Sequence, residues 1–378
     1  MDSRIVATLF FLISSAMSGT AGMPGIAALH VLPPVTRGNL TIFPVIGGPD
    51  YDTSRFLTLD EGVRAGTVVV TEQGSLQGLV RPGTRVHQQS GAAVNQLVLI
   101  NNSDRPLLLL AGEIVTGGKQ DRVIGADRLV PAKSDPIDLS VFCVEPGRWV
   151  ASSEQFGSMK SQMAQPSVRV PAMAAKDQHE VWNQVAAARQ AAEMASAAPP
   201  VQAGNGGLAA NGGNDLTHIG TTSYAATMAS PRVQAIVDNA AGNYDSILRE
   251  LRKSGAKGVV VAINGHIVWA DLFASSDLLA KYWQKLIRSY AAESVTSVNA
   301  KGSVDQKEAQ QFLDRLSGNR EVIETDPGVY RRAEVTGDGY KVFTLTALST
   351  KPDFDVHVAK MAYDGEGRQQ VRPAILVR

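Results

Sequence analysis

An α+β fold is predicted by three features of this chain. Residues 38–150 hold short apolar runs separated by Gly, Pro, Asn and Asp turns. Residues 174–197 and 275–295 place apolar side chains at helical spacing. Asn264-Gly265 sits between two alternating apolar runs, the strongest short signal for a hairpin. The predicted order is a β-rich N-terminal unit, then an α+β unit with a β-hairpin, helices and C-terminal antiparallel strands.

At 378 residues the chain is long enough for two domains, or for one large domain with additions. Its 44% hydrophobic and 19% charged content is that of a globular protein. Lys+Arg and Asp+Glu balance at 36 each, which argues against bulk attraction to nucleic acid or an anionic membrane. Cys143 is the one cysteine, so no intramolecular disulfide can form and a buried thiol is expected.

The first 22 residues read as an export signal: Arg4, an apolar run over residues 5–17, then Gly and Ala at a cleavage position. The run is short of the ~20 residues that span a bilayer. A periplasmic or secreted mature protein is the expectation. Strand candidates follow at residues 39–46, 68–73, 78–82, 95–101, 105–115 and 137–144, with a short helix at 59–66. The polar Asn101–Asp104 segment is expected to join two of them as a hairpin. Residues 151–173 read as loop, and 174–197 as a helix carrying Trp182 as a packing anchor.

Residues 198–222 are low-complexity Ala, Gly, Asn and Pro and form the expected linker and domain boundary. Beyond it, Ser230-Pro231 opens a helix that Gly242 can bend. Ser275 caps another, with Leu278, Leu279, Tyr282, Leu286 and Tyr290 as its apolar face. The α+β part therefore spans 230–295, and residues 296–378 add a helix and antiparallel strands.

Most of the unusual polar chemistry falls in residues 107–149. Alternation puts Glu113 at the end of a Leu row, where a carboxylate needs a cation or hydrogen bonds. Gly117-Gly118 permits close backbone approach, and Lys119, Gln120 and Arg122 then supply donors for an anionic oxygen. Glu145 ends the next strand, before Arg148 and Trp149. If the two strand ends adjoin, Glu113 and Glu145 are candidate acid/base groups. Lys119, Gln120, Arg122, Arg148 and Trp149 are then candidate contacts for a small polar or phosphorylated ligand. The same set also fits a purely structural ion-pair network. Asp271, at a strand end, is a further candidate contact, or a partner of the helix start at Ser275.

Cys143 lacks a nearby histidine base. No metal or cofactor is expected: the six histidines are scattered, and phosphate-loop and dinucleotide motifs are missing.

Gly112-Glu113, Gly118-Lys119-Gln120-Asp121-Arg122 and the run from Cys143 to Trp149 resemble the ARG and Rhodanese-Phosphatase-superfamily-associated protein domain, where ARG is ADP-ribosylglycohydrolase. The likeness extends to Val181-Trp182 and to Asp271-Leu272-Phe273, and covers residues 38–295. It implies a ligand that is nucleotide-derived or phosphorylated. The alternative is a non-catalytic envelope protein that binds a partner, with the charged cluster purely structural.

Overall fold

The structure, a computed structural model, describes residues 29–72, 96–148, 150–160, 162–197, 221–298, 300 and 302–363. The predicted signal, the strand candidate at 78–82, Trp149 and nearly all of the linker lie outside them. The fold is α+β, as predicted, and mostly antiparallel.

One nine-stranded sheet organises it. Its strands are β1 (Leu29–Val31), β2 (Val35–Arg37), β3 (Leu40–Gly47), β13 (Gly258–Ile263), β14 (His266–Phe273), β15 (Asn319–Asp326), β16 (Tyr330–Gly337), β17 (Tyr340–Ala347) and β18 (Phe354–Ala362). They run in the order β1-β3-β13-β14-β18-β17-β16-β15, with β2 on β3. Asn264-Gly265 forms the β13–β14 hairpin, and both residues take positive φ, 54° and 80°.

β3 pairs with β13 along its length, Leu40 opposite Ile263 and Val45 opposite Gly258. β14 pairs with β18 in turn. Strands from both sides of the 198–222 stretch thus share one sheet, so that stretch does not separate two independent sheets. Residues 296–378, predicted as an addition, supply four of its strands and complete it. Strand pairing over such sequence distances leaves no local signal.

β13 is buried on both faces. Val259, Val261 and Ile263 join the large core under the helices, while Val260 and Ala262 join a second core on the opposite face. The helices on the first side are α3 (Gln178–Ala197), α4 (Tyr224–Ala229), α5 (Pro231–Ala241), α6 (Tyr244–Ser254) and the central α7 (Ser276–Thr296). Ser275 caps α7 by accepting from Leu278 N–H. Its predicted apolar face is buried, together with Trp283 and Ile287. The second face is partly covered by α8 (Gln306–Asp314), capped by an Asp305–Glu308 box.

Residues 230–251 do not make one helix. Gly242, at φ 67°, ends α5, and Asn243 starts α6 by accepting from Ser246 N–H. Residues 151–173 are not simply loop. They contain β12 (Gly157–Ser158) and α2 (Pro166–Val170), whose Pro166 occupies the first turn, followed by a π-helical turn at Pro171–Ala175.

The rest of the N-terminal unit packs around a separate aliphatic core. Its six-stranded sheet is ordered β12, β8 (Ile114–Thr116), β9 (Arg122–Ile124), β11 (Ile137–Cys143), β6 (Gln96–Asn101), β5 (Val68–Glu72). A three-stranded sheet joins β10 (Arg128–Val130), β7 (Leu107–Leu109) and β4 (Leu57–Thr58). α1 (Leu59–Arg64) begins with a Thr58–Glu61 capping box.

The predicted hairpin across Asn101–Asp104 does not form. β6 pairs with β5 and β11, while β7 crosses to β10 and β4. The buried Asn101 amide makes the difference. It donates to the carbonyls of Arg105 and Pro131, each at 2.9 Å, and fixes the chain as it changes sheets.

Candidate functional site

The apolar run over residues 105–115 is not a single strand. It breaks after β7, turns at Gly112 (φ 94°) and resumes as β8. The strict alternation predicted for Glu113 therefore fails at the residue that mattered. The turn places Glu113 inside the molecule, at 0% exposure. Its Oε2 accepts from Leu110 N–H at 2.9 Å, and its Oε1 accepts from Lys285 Nζ of α7 at 2.7 Å. Lys285 also reaches Asp60 of α1 at 2.8 Å, and the Ser158 hydroxyl donates to Asp60 at 2.6 Å.

Burial lifts the Glu113 carboxyl above its ordinary range, opposed by the Lys285 charge. Burial works against the Lys285 cation, but its two carboxylates override that and hold it protonated. The need for a cationic partner at Glu113 was legible in the sequence. The identity of that partner, 172 residues away, was not.

Glu145 belongs to a different group. Arg148 grips it with both arms of its guanidinium, Nε to Oε1 at 2.9 Å and Nη2 to Oε2 at 2.7 Å. Its Nη1 donates to the carbonyls of Gly118 (2.6 Å) and Val150 (3.1 Å), and Nη2 also reaches the Gly117 carbonyl and Asp121 Oδ1, each at 3.4 Å. Asp121 N–H donates to Glu145 Oε2 at 3.1 Å. Asp121 in turn accepts from Gly117 N–H and from the Ser223 hydroxyl that caps α4. Burial lifts the Asp121 carboxyl, opposed first by the Ser223 hydrogen bond. The Gly117-Gly118 turn is thus pinned from inside by Asp121 and from outside by Arg148.

The other predicted contacts border this turn. Lys119 is exposed and pairs with Glu72 at 3.7 Å. Gln120 is fully buried, and neither end of its amide meets a described hydrogen-bond partner. Arg122 is buried, donates to the Gln120 carbonyl at 2.6 Å, and burial opposes its charge. Cys143 is buried as expected, and burial pushes its thiol up. Gln178 brackets its backbone, donating to the Cys143 carbonyl at 3.0 Å and accepting from its N–H at 2.8 Å.

The predicted cluster is therefore two clusters. The Glu113 carbonyl bonds Ile124 N–H, whereas Glu145 bonds Asp121 N–H. Those anchors are three residues apart on extended chain, roughly 10 Å. The principal cavities, of about 600 and 300 Å³, are lined by neither acid.

Asp271 belongs to a third group, which sequence reasoning missed. It does not serve the start of α7. Arg169 of α2 pairs with both of its oxygens at 3.1 Å, and the Tyr290 hydroxyl of α7 donates to Oδ2. His357 of β18 lies between Asp271 Oδ1 (Nε2 at 3.2 Å) and Asp127 Oδ2 (Nδ1 at 2.6 Å). Asp127 also accepts from Ala111 N–H at 2.7 Å. Arg169, Asp271 and His357 are all 0% exposed, and the Arg169 guanidinium stacks over Trp269 at 4.2 Å.

Burial alone would push His357 down, but the charges of Asp127 and Asp271 raise it to about 9. Burial opposes Asp271 ionisation, yet Arg169 and His357 hold its carboxyl well below the usual range. Two cations and two carboxylates balance in the core. The one sequence signal was polar residues inside apolar alternation, Arg169 in Val168–Val170 and His357 in Val356–Val358.

Gly112 connects the first and third groups. A Cβ there would come within 2.7 Å of Arg169 Nε, at a φ that other residues avoid. Gly112→Ala is expected to lower unfolding free energy by about 2 kcal/mol in urea titration, because a fully buried Arg169 has nowhere to move. A loss below roughly 0.5 kcal/mol would show the turn to be more accommodating than its packing implies.

Among the described residues, no group of three or more His, Cys, Asp and Glu side chains could hold a metal, and no helix is long and apolar enough to cross a membrane. No curated protein and no solved structure matches the chain. One family pattern does match, and it extends over residues 28–360, from β1 into β18. It takes in all three charged groups and the strands that close the main sheet, so the chain belongs to the ARG and Rhodanese-Phosphatase-superfamily-associated Protein domain family.

Proposed function

We propose that this chain is a binding protein for a small polar, anionic ligand, and that Glu113 and Glu145 are architectural rather than an acid/base pair. The observation that carries this reading is the occupancy of their oxygens. All four carboxylate oxygens accept hydrogen bonds from the protein itself. Lone pairs are left on these oxygens, but Glu113 is 0% and Glu145 6% exposed, so they are not within reach of a substrate as a general base must be. The family's association, by its description, with ARG and Rhodanese-Phosphatase proteins supports a phosphorylated or nucleotide-derived ligand. Lys119, which is exposed, remains the signature residue with capacity for an outside contact. The apolar leader over residues 5–17 supports export to the periplasm or beyond. N-terminal sequencing of the mature protein is expected to start near residue 23; an intact Met1 would contradict cleavage.

A thermal-shift panel of inorganic phosphate, ADP-ribose and a sugar phosphate tests the binding reading. At least one compound is expected to raise Tm without being consumed, and Glu145→Gln, once shown to be folded, is expected to retain the shift. Turnover of a stabilising compound that Glu113→Gln or Glu145→Gln abolishes would restore the acid/base reading.

A further inference from the structure

Among the described residues, α8, nine residues long, shields one end of the outer face of the main sheet. At the other end the sheet, the loop after β3 and Lys257 enclose a cavity of about 300 Å³. That is the lower end of the size range for small-molecule sites.

Its lining is chemically uneven. Leu272 and Val358 form an apolar floor. Tyr51 and Phe354 stack at 4.3 Å with their planes 9° apart and make a flat aromatic wall. Three cations also line it, Lys257, Arg320 and Arg331, against two carboxylates, Asp353 and Asp355. Lys257 is buried, donates to the carbonyls of Gly48 (2.8 Å) and Pro49 (2.6 Å), and is favoured as a cation by the nearby Asp50 charge. Asp355 is engaged by the Thr346 hydroxyl at 2.7 Å.

The two arginines are the second observation. Among the described residues, neither guanidinium has an ion-pair partner or a hydrogen-bond acceptor, and Arg331 Nε is buried with its donor unmet. The Nε atoms of Arg169 and Arg332 are also buried and unmet, but those side chains hold a carboxylate through their other nitrogens, whereas Arg320 and Arg331 hold none among the described residues. A buried, unmet guanidinium donor costs free energy that an incoming acceptor recovers.

We infer that this cavity binds a small organic oxyanion of single negative charge, a carboxylate or a phosphodiester, joined to a flat apolar body. Arg320 and Arg331, the two cations here with no acceptor among the described residues, supply the positive charge for the oxyanion. The planar guanidinium of Arg331 matches either oxyanion. The apolar floor and the Tyr51–Phe354 wall take the body. The inference rests on the reading of this chain as a binding protein and gives that reading a location.

The test is calorimetric titration of the full mature chain with benzoate, with methyl phenyl phosphate and with neutral benzamide. One-to-one binding of at least one anion is expected, with benzamide about tenfold weaker or worse. Whichever anion binds tighter identifies the class. Arg331→Gln is expected to weaken the anion about tenfold, and Arg320→Gln less, because Arg320 is exposed. Arg249→Gln, on the exposed side of α6, is expected to change nothing.

The inference is overturned if benzamide matches the anions, if neither anion binds, or if folded Arg331→Gln and Arg320→Gln both bind like the wild type. Should Arg331→Gln fail to fold, Arg320→Gln with the benzamide comparison decides. The two proposals fail separately. If ADP-ribose or phosphate stabilises the wild type and Arg331→Gln equally, the binding function stands and this site does not. If nothing binds the wild type, both fall.

Discussion

Asp271→Ala is expected to destabilise the protein by about 3–5 kcal/mol, the largest effect of any single substitution proposed for this chain. The reason is what remains behind. Arg169 would keep its charge at 0% exposure with its carboxylate partner gone, and protonated His357 would lose one of its two acceptors. The Tyr290 hydroxyl would also lose its acceptor. A charge of this kind cannot retreat to water without opening the contact between α2, β14, β18 and α7. Urea unfolding of the two proteins side by side measures the loss. A second arm separates electrostatics from packing. Arg169→Met combined with Asp271→Leu removes both charges and fills similar volume, so it is expected to recover most of the lost stability. A double variant no more stable than Asp271→Ala would show that packing around Arg169 and Trp269, not the ion pair, carries the site.

How much of this was legible beforehand depended on distance along the chain. The Asn264-Gly265 hairpin and the caps at Ser230 and Ser275 are local, and each appears where the sequence puts it. The motifs at 112–122 and 143–149 led to the family, because a run of residue types needs no knowledge of contacts. The charged cluster was only half legible. Glu145 and Arg148 stand three residues apart and pair as neighbours. Glu113 finds Lys285 on α7, a helix whose sequence shows only its apolar face. The Asp271 network draws on five separate elements, so no window of sequence contains it. The failed hairpin at Asn101–Asp104 has a different cause. There the turn chemistry was right, since Asn101 and Ser103 do hold a turn, but the Asn101 amide also fastens it to Pro131.

The three groups share one geometric role. Glu113–Lys285 joins the β8 turn to α7, Asp121–Ser223 joins the 117–121 turn to α4, and Asp271–Arg169 joins the main sheet to α2. Each ties the N-terminal β unit or its following segment to the helical layer. Buried ion pairs add little net stability compared with apolar packing, but they penalise every alternative docking that leaves a charge unpaired. In a chain whose main sheet interleaves distant segments, that selectivity gives a physical reason for placing so much charge inside.

The pH dependence of stability offers the second large test, and its sign follows from two opposed groups. His357 is held at about 9, above its unfolded value near 6.5. Between those values the native state keeps a proton that the unfolded state has released, so stability falls as pH rises, by about 1.4 kcal/mol per unit and about 3 kcal/mol in all. That stability is fully present below pH 6.5 and lost through about 9. Lys360 does the reverse. Burial pushes it down to about 7 from its ordinary 10.5, although it donates to the Phe312 and Arg315 carbonyls at the end of α8. From about 7 upward the unfolded state binds the extra proton, so stability rises with pH. In the wild type the two slopes cancel between about 7 and 9, and the curve should be nearly flat there. His357→Gln is expected to turn that flat region into a rise, and Lys360→Met into a fall of similar size. Comparing variants with wild type at each pH removes the contributions of all other groups. If Lys360→Met leaves the curve flat from pH 7 to 9, His357 is not protonated in the folded core, and the balance of two cations against two carboxylates at Asp271 is wrong.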